Sequence, residues 1–66
     1  MSRVMIFTTG ANGESEVYGT RDPIEAIELD IRRGNRLTFN ECWSGKLVSL
    51  DLKVYPKIEC RVDGDD

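Results

Sequence analysis

The chain has 66 residues, 32% charged and 39% hydrophobic, with two cysteines, no histidine and a formal net charge of −3. That length suits one domain around one small core, and the apolar content argues against disorder. The acidic balance disfavours nucleic-acid binding by bulk charge, the ligand inventory leaves no all-protein zinc site, and no apolar run approaches the roughly 20 residues of a membrane helix.

The start, Met1-Ser2-Arg3, carries one positive charge and leads into Val4, Met5, Ile6 and Phe7 before Thr8. This apolar run is too short for a secretory signal, so a cytoplasmic location is expected. Residues 8–19 read TTGANGESEVYG. A phosphate loop requires Gly-x-x-x-x-Gly-Lys-Ser/Thr ahead of a helix. Here no lysine follows, and Glu14 and Glu16 would repel a phosphate. Asn12-Gly13 is instead the dipeptide of two-residue hairpin turns. Centring the turn there places Phe7 opposite Tyr18 and Thr8 opposite Val17, with Gly10 free to host a bulge.

RDPIEAIELDIRRGN, residues 21–35, is a helix signal. Asp22 fits the N-cap, Pro23 the first helical position, and Glu25 the third place of a capping box. Glu25 and Glu28 favour the positive end of the helix dipole; Arg32 and Arg33 favour the negative end. Gly34 is a left-handed C-cap. Ile24, Ile27 and Ile31 share one face and are expected to meet a sheet. Leu29 lies on another flank, either packed under the first hairpin or exposed as a partner contact.

Three strand-like segments follow. In LTFNECW, residues 37–43, Leu37, Phe39 and Trp43 are apolar, and Ser44-Gly45 marks a turn. Pairing Trp43 with Lys46 aligns Phe39 with Leu50 and Leu37 with Leu52. Val48, Leu50, Leu52 and Val54 then share a face, as do Ile58, Cys60 and Val62 in the last segment. A connection through Tyr55-Pro56-Lys57 aligns Val54 with Ile58, Leu52 with Cys60 and Leu50 with Val62. That register also sets Lys53 against Glu59 and Asp51 against Arg61 on a solvated face. Residues 64–66 read as a frayed acidic tail. The expected fold is α+β: a small antiparallel sheet in the order β-β-α-β-β-β, with one helix packed on one face, in a single domain over 1–66.

Catalysis lacks equipment. Without histidine, a nucleophile would need a carboxylate, lysine or tyrosine as base. Glu41 and Cys42 are adjacent in a strand and point to opposite faces. Cys42 and Cys60 fall on opposite sheet faces and are expected as free thiols. No catalytic residue, cofactor or metal is assigned, and the chain reads as no enzyme.

Binding offers two clusters. Trp43 at the sheet margin is either a core lid or an interface anchor, with Lys46 placed over its ring. Trp43, Leu29 and Tyr55 form a candidate protein-interaction surface. Arg32, Arg33 and Arg36, with Arg3 and Arg21 as candidate additions, form a candidate nucleic-acid or anion contact; dipole compensation plus solubility is the favoured account of them. In size and organisation the chain resembles the small single-domain proteins of phages and other mobile elements, some anti-CRISPR proteins among them. That resemblance implies a non-enzymatic protein-binding module that inhibits a host or defence protein, and transfers no site residues. A nucleic-acid accessory module using Arg32, Arg33 and Arg36, and a structural homodimer, are the alternative readings.

Overall fold

A computed structural model describes residues 2–65 of the chain. The element order is β1 (Ser2–Thr9), β2 (Ser15–Thr20), α1 (Ile24–Arg33), β3 (Arg36–Asn40), β4 (Leu47–Asp51) and β5 (Lys57–Asp65). The fold is α+β, with the strands and helix in the expected sequence. The strands divide into two antiparallel sheets, β2-β1-β5 and β3-β4. A single bridge between Thr20 and Glu41 joins them.

β1 is central because both of its faces are apolar. Val4 and Ile6 point into the core, while Met5 and Phe7 lie on the half-buried outer face. Its hairpin with β2 pairs Ile6 with Tyr18 and Phe7 with Val17, one residue off the expected register. The reason lies in the turn. A two-residue turn would need positive φ at Asn12, and among the described residues only glycines adopt it. The chain uses a three-residue loop instead. Gly13 (φ 90°) donates to the Gly10 carbonyl at 3.0 Å, and Gly10 N–H donates to Glu14 O at 2.7 Å.

The helix begins one residue later than expected. Pro23 is the N-cap, with no side-chain capping bond, and Asp22 serves elsewhere. Its carboxylate accepts the N–H of Asn40 at 3.1 Å, and Asp30 likewise accepts the N–H of Thr38 at 3.2 Å. These outward-facing groups of β3 have no neighbouring strand, so two carboxylates from the helix segment blunt that edge. Gly34 closes the helix in the left-handed region (φ 74°), as expected. Ile27 is buried, and Ile24 and Ile31 pack at the core margin.

β3 pairs with β4 as Leu37–Leu50 and Phe39–Val48. This is two residues from the expected register. A two-residue slip preserves the side-chain faces, so Leu37, Phe39 and Leu50 are still core. The larger correction concerns β5, which pairs with β1 and not with β4. Asp51 is the cause. Its carbonyl accepts the N–H groups of Val54 and Tyr55, and its carboxylate accepts that of Lys53. The chain therefore coils away from β4 and returns along β1. The expected Lys53–Glu59 and Asp51–Arg61 pairs do not form, and Val54 is exposed. Backbone pairing carries β5 through Gly64 to Asp65, residues expected in the tail; Asp66 lies outside the described residues.

The core is Val4, Ile6, Ile27, Leu37, Phe39 and Leu50, bordered by Tyr18, Leu52, Ile58 and Cys60. Tyr18 meets Phe39 edge-to-face at 5.6 Å. Replacing Asp22 with alanine should cost about 1 kcal/mol in urea unfolding, the scale of a hydrogen bond left unmade. Amide exchange should accelerate at Asn40 while the amides of Ala26 and Ile27 keep their protection. Equal acceleration in the first helical turn would mean that Asp22 caps the helix.

Candidate functional site

The residues singled out from sequence do not converge. Leu29 is exposed (43%) on the helix flank away from Ile27, so it does not pack beneath the first hairpin. Tyr55 lies against the core and lines an open groove of about 260 Å³ with Ile31, Leu52 and Ile58. Trp43 sits elsewhere, over β2. Arg32, Arg33 and Arg36 are exposed at the C-terminal end of the helix and the start of β3, where Arg36 Nε donates to Ser49 Oγ at 2.9 Å. Arg3 does not join them; it bonds to Asp63 at 3.3 Å. Arg21 precedes the helix, at the end opposite Arg32 and Arg33.

What the fold does assemble is the outer face of the β2-β1-β5 sheet. Residues of one parity line it: Met5 and Phe7 from β1, Val17 and Gly19 from β2, Glu59 and Arg61 from β5. Gly19 is the key. A Cβ there would stand 3.0 Å from Trp43 Cη2 and 3.1 Å from Cys42 Sγ. Its missing side chain lets the indole rest on the strand at the position whose cross-strand neighbour is Met5. The Arg3 guanidinium lies 5.6 Å from the Trp43 ring centroid, and that of Arg61 lies 5.3 Å from Phe7. Arg3, not Lys46, is therefore the cation on Trp43. The result is an apolar strip of Trp43, Met5, Phe7 and Val17, flanked by two arginines and by Glu59 and Asp63. Trp43 is 58% exposed and Val17 51%.

Glu41 holds Trp43 in place. Though only 7% exposed, its carboxylate is well satisfied. It accepts the N–H of Ser44 at 2.8 Å, of Trp43 at 3.2 Å and, at the long distance of 3.5 Å, of Gly19. The Ser44 hydroxyl, followed by these backbone groups, pulls its pKa below the usual carboxylate value against the opposing effect of burial. A carboxylate so engaged is a structural buckle and a poor general base for Cys42.

Tyr18 and Cys60 are also perturbed. Burial, then a hydrogen bond to Glu16, pushes the Tyr18 hydroxyl up to about 12. Burial and the nearby Glu28 carboxylate raise the Cys60 thiol, and both cysteines are free. Among the described residues, no three His, Cys, Asp or Glu side chains are grouped to hold a metal. No helix among them is long and apolar enough to cross a membrane.

Sequence reasoning missed Phe7, Met5, Val17 and Arg61 as a surface. The available signal was the run Val4-Met5-Ile6-Phe7, which is apolar on both faces of one strand. Compared with known proteins, the chain matches no family, no curated protein and no solved structure.

Gly19→Ala should lift the indole off the sheet and shift the emission of this sole tryptophan to the red, with far-UV circular dichroism unchanged. An unshifted spectrum would show that the ring does not depend on Gly19. Glu41 also sets a pH dependence. Its folded pKa lies below the ordinary 4.5, so its contribution is complete above that value and is lost as pH falls through the folded pKa. Acid unfolding of Glu41→Gln should therefore show a shallower loss of stability between neutral and low pH than the wild type.

Proposed function

We propose that the chain is a non-enzymatic protein-binding module that engages its partner through the outer face of the β2-β1-β5 sheet, with Trp43 as anchor. The supporting observation is the exposed indole lying on Gly19, with Arg3 beside it. Tryptophan, arginine, phenylalanine and methionine are the types enriched at interface centres, and truncating such anchors commonly costs ~2 kcal/mol or more. Here they occupy one rigid sheet surface. The mixed charges of Glu59, Asp63 and Lys57 on the neighbouring strand suit the polar rim of a protein interface. A chain with one such face acts by covering its partner's surface, which suits an inhibitor of the mobile-element kind.

The alternative of a nucleic-acid accessory module is supported by the exposure of Arg32, Arg33 and Arg36. Against it stand the net charge of −3 and the distance of those arginines from the aromatic strip.

The two readings separate in one experiment. Immobilised wild-type protein, the Trp43→Ala variant and the Arg32/Arg33/Arg36→Ala variant are each exposed to lysate of the source cell or its host. Trp43→Ala should weaken capture of a stoichiometric protein by at least about tenfold, while the arginine variant binds as the wild type does. Nucleic acid recovered in its place, lost steeply with salt and lost in the arginine variant, would establish the alternative.

A further inference from the structure

The other unexplained feature is the open edge of β5. Among the described residues, β5 pairs with β1 on one side and with no strand on the other. The bond from Gly10 N–H to Glu14 O fixes which groups are spent. Even-numbered residues of β1 turn their backbone groups to β2, so odd-numbered ones turn to β5. By the register of β1 with β5, Lys57, Glu59, Arg61 and Asp63 then bond inward. The N–H and C=O groups of Ile58, Cys60 and Val62 face outward. Among the described residues, no helix or loop backbone bonds to them. The regular part of β5 ends at Asp63, where the ladder shifts between Ser2 and Arg3.

We propose that β5 pairs with β5 of a second copy of this chain, antiparallel and centred on Cys60, joining two three-stranded sheets into one. The sequence Lys57-Ile58-Glu59-Cys60-Arg61-Val62-Asp63 is complementary to its own reverse. Centred on Cys60, Lys57 meets Asp63, Glu59 meets Arg61 and Ile58 meets Val62, each pair occurring twice by the two-fold symmetry. Opposite charges directly across strands are favourable and like charges are not. The neighbouring registers of correct parity fail that test. Centring on Glu59 sets it against itself and Lys57 against Arg61. Centring on Arg61 sets it against itself and Glu59 against Asp63. Cys60 is also one of the residues whose backbone groups face outward, so the centre falls on a hydrogen-bonded pair.

A separate observation agrees. Val62 lies on the core-facing side of β5 yet is 48% exposed, and the second copy would lay Ile58 against it. This inference does not rest on the binding role of the outer face.

Sedimentation equilibrium across micromolar to millimolar concentration tests it without any partner. The wild type should show a monomer–dimer equilibrium. Arg61→Glu, which sets Glu59 against a like charge twice, should weaken the dimer by at least about tenfold. The double variant Glu59→Arg/Arg61→Glu restores complementarity and should restore the dimer. Lys57→Glu, at the exposed start of the strand, should weaken it independently and serves if Arg61→Glu does not fold. A wild type that is monomeric at millimolar concentration would overturn the proposal. So would a dimer indifferent to these charges, or a double variant that stays monomeric.

Discussion

The molecule depends on the joint at Glu41. Two sheets, one of three strands and one of two, meet there through a single backbone bridge between Thr20 and Glu41. Around it, Cys42 N–H donates to Gly19 O at 2.8 Å and Thr20 Oγ1 donates to Asn40 O at 2.7 Å. An isolated two-stranded hairpin is marginal in water, so β3-β4 requires this attachment. A buried carboxylate is costly unless its lone pairs are filled. Backbone N–H groups fill them here, so the desolvation cost is offset by fixing the turn after β3. The same bonds set the direction of Trp43 as it leaves the turn. Core closure and the exposed aromatic face therefore share one cause.

Carboxylates replace missing strands elsewhere too. Asp30 and Asp22 accept the outward N–H groups of Thr38 and Asn40 along β3. Glu41, which follows β3, accepts the N–H of Gly19 on β2, so three acids satisfy edges that a larger protein would cover with further strands. β5 is managed differently. Its edge strand carries alternating charge whose signs agree with their own reversal, the pattern on which the proposed self-pairing rests. Charge on an edge ordinarily prevents pairing. Arranged as a palindrome, as in the proposed pairing, it would select the partner instead.

The helix was legible because its signals are local: an isoleucine stripe, acidic and basic ends, and Gly34 at a left-handed position. The partner of β5 was not. Ile58, Cys60 and Val62 present the same apolar face whether they lie beside β4 or β1, so alternation cannot choose between the two. Plausible charge pairs with Lys53 and Asp51 favoured the nearer strand. What decides is the coil begun by Asp51, a non-local consequence of one side chain accepting the N–H of Lys53. Glu41 was assigned no structural role, though its parity with Leu37 and Phe39 places it inward. An acid in an apolar register is a signal of buried N–H groups, and here they come from Gly19, Trp43 and Ser44. The surface of Trp43 was half legible: its place at a sheet margin followed from the turn, but that left core lid and exposed anchor both open, and its cation came from a strand far off in sequence.

The outer face poses a solubility problem that its arginines address. Met5, Phe7, Val17 and Trp43 would form a bare apolar strip on a central sheet, and such strips invite association. Arg3 and Arg61 lay their guanidinium groups against two of the rings. A stacked cation at an exposed site is worth about 0.5–1 kcal/mol, enough to bias where the side chain rests but small beside the burial of an indole. A partner can therefore displace either arginine at little cost, or retain it as a contact, and still gain the apolar area beneath. Arg3 is also paired with Asp63 at 3.3 Å. The face is thus covered in the free chain by groups that hold it weakly, while the sheet below is held firmly by the Glu41 joint.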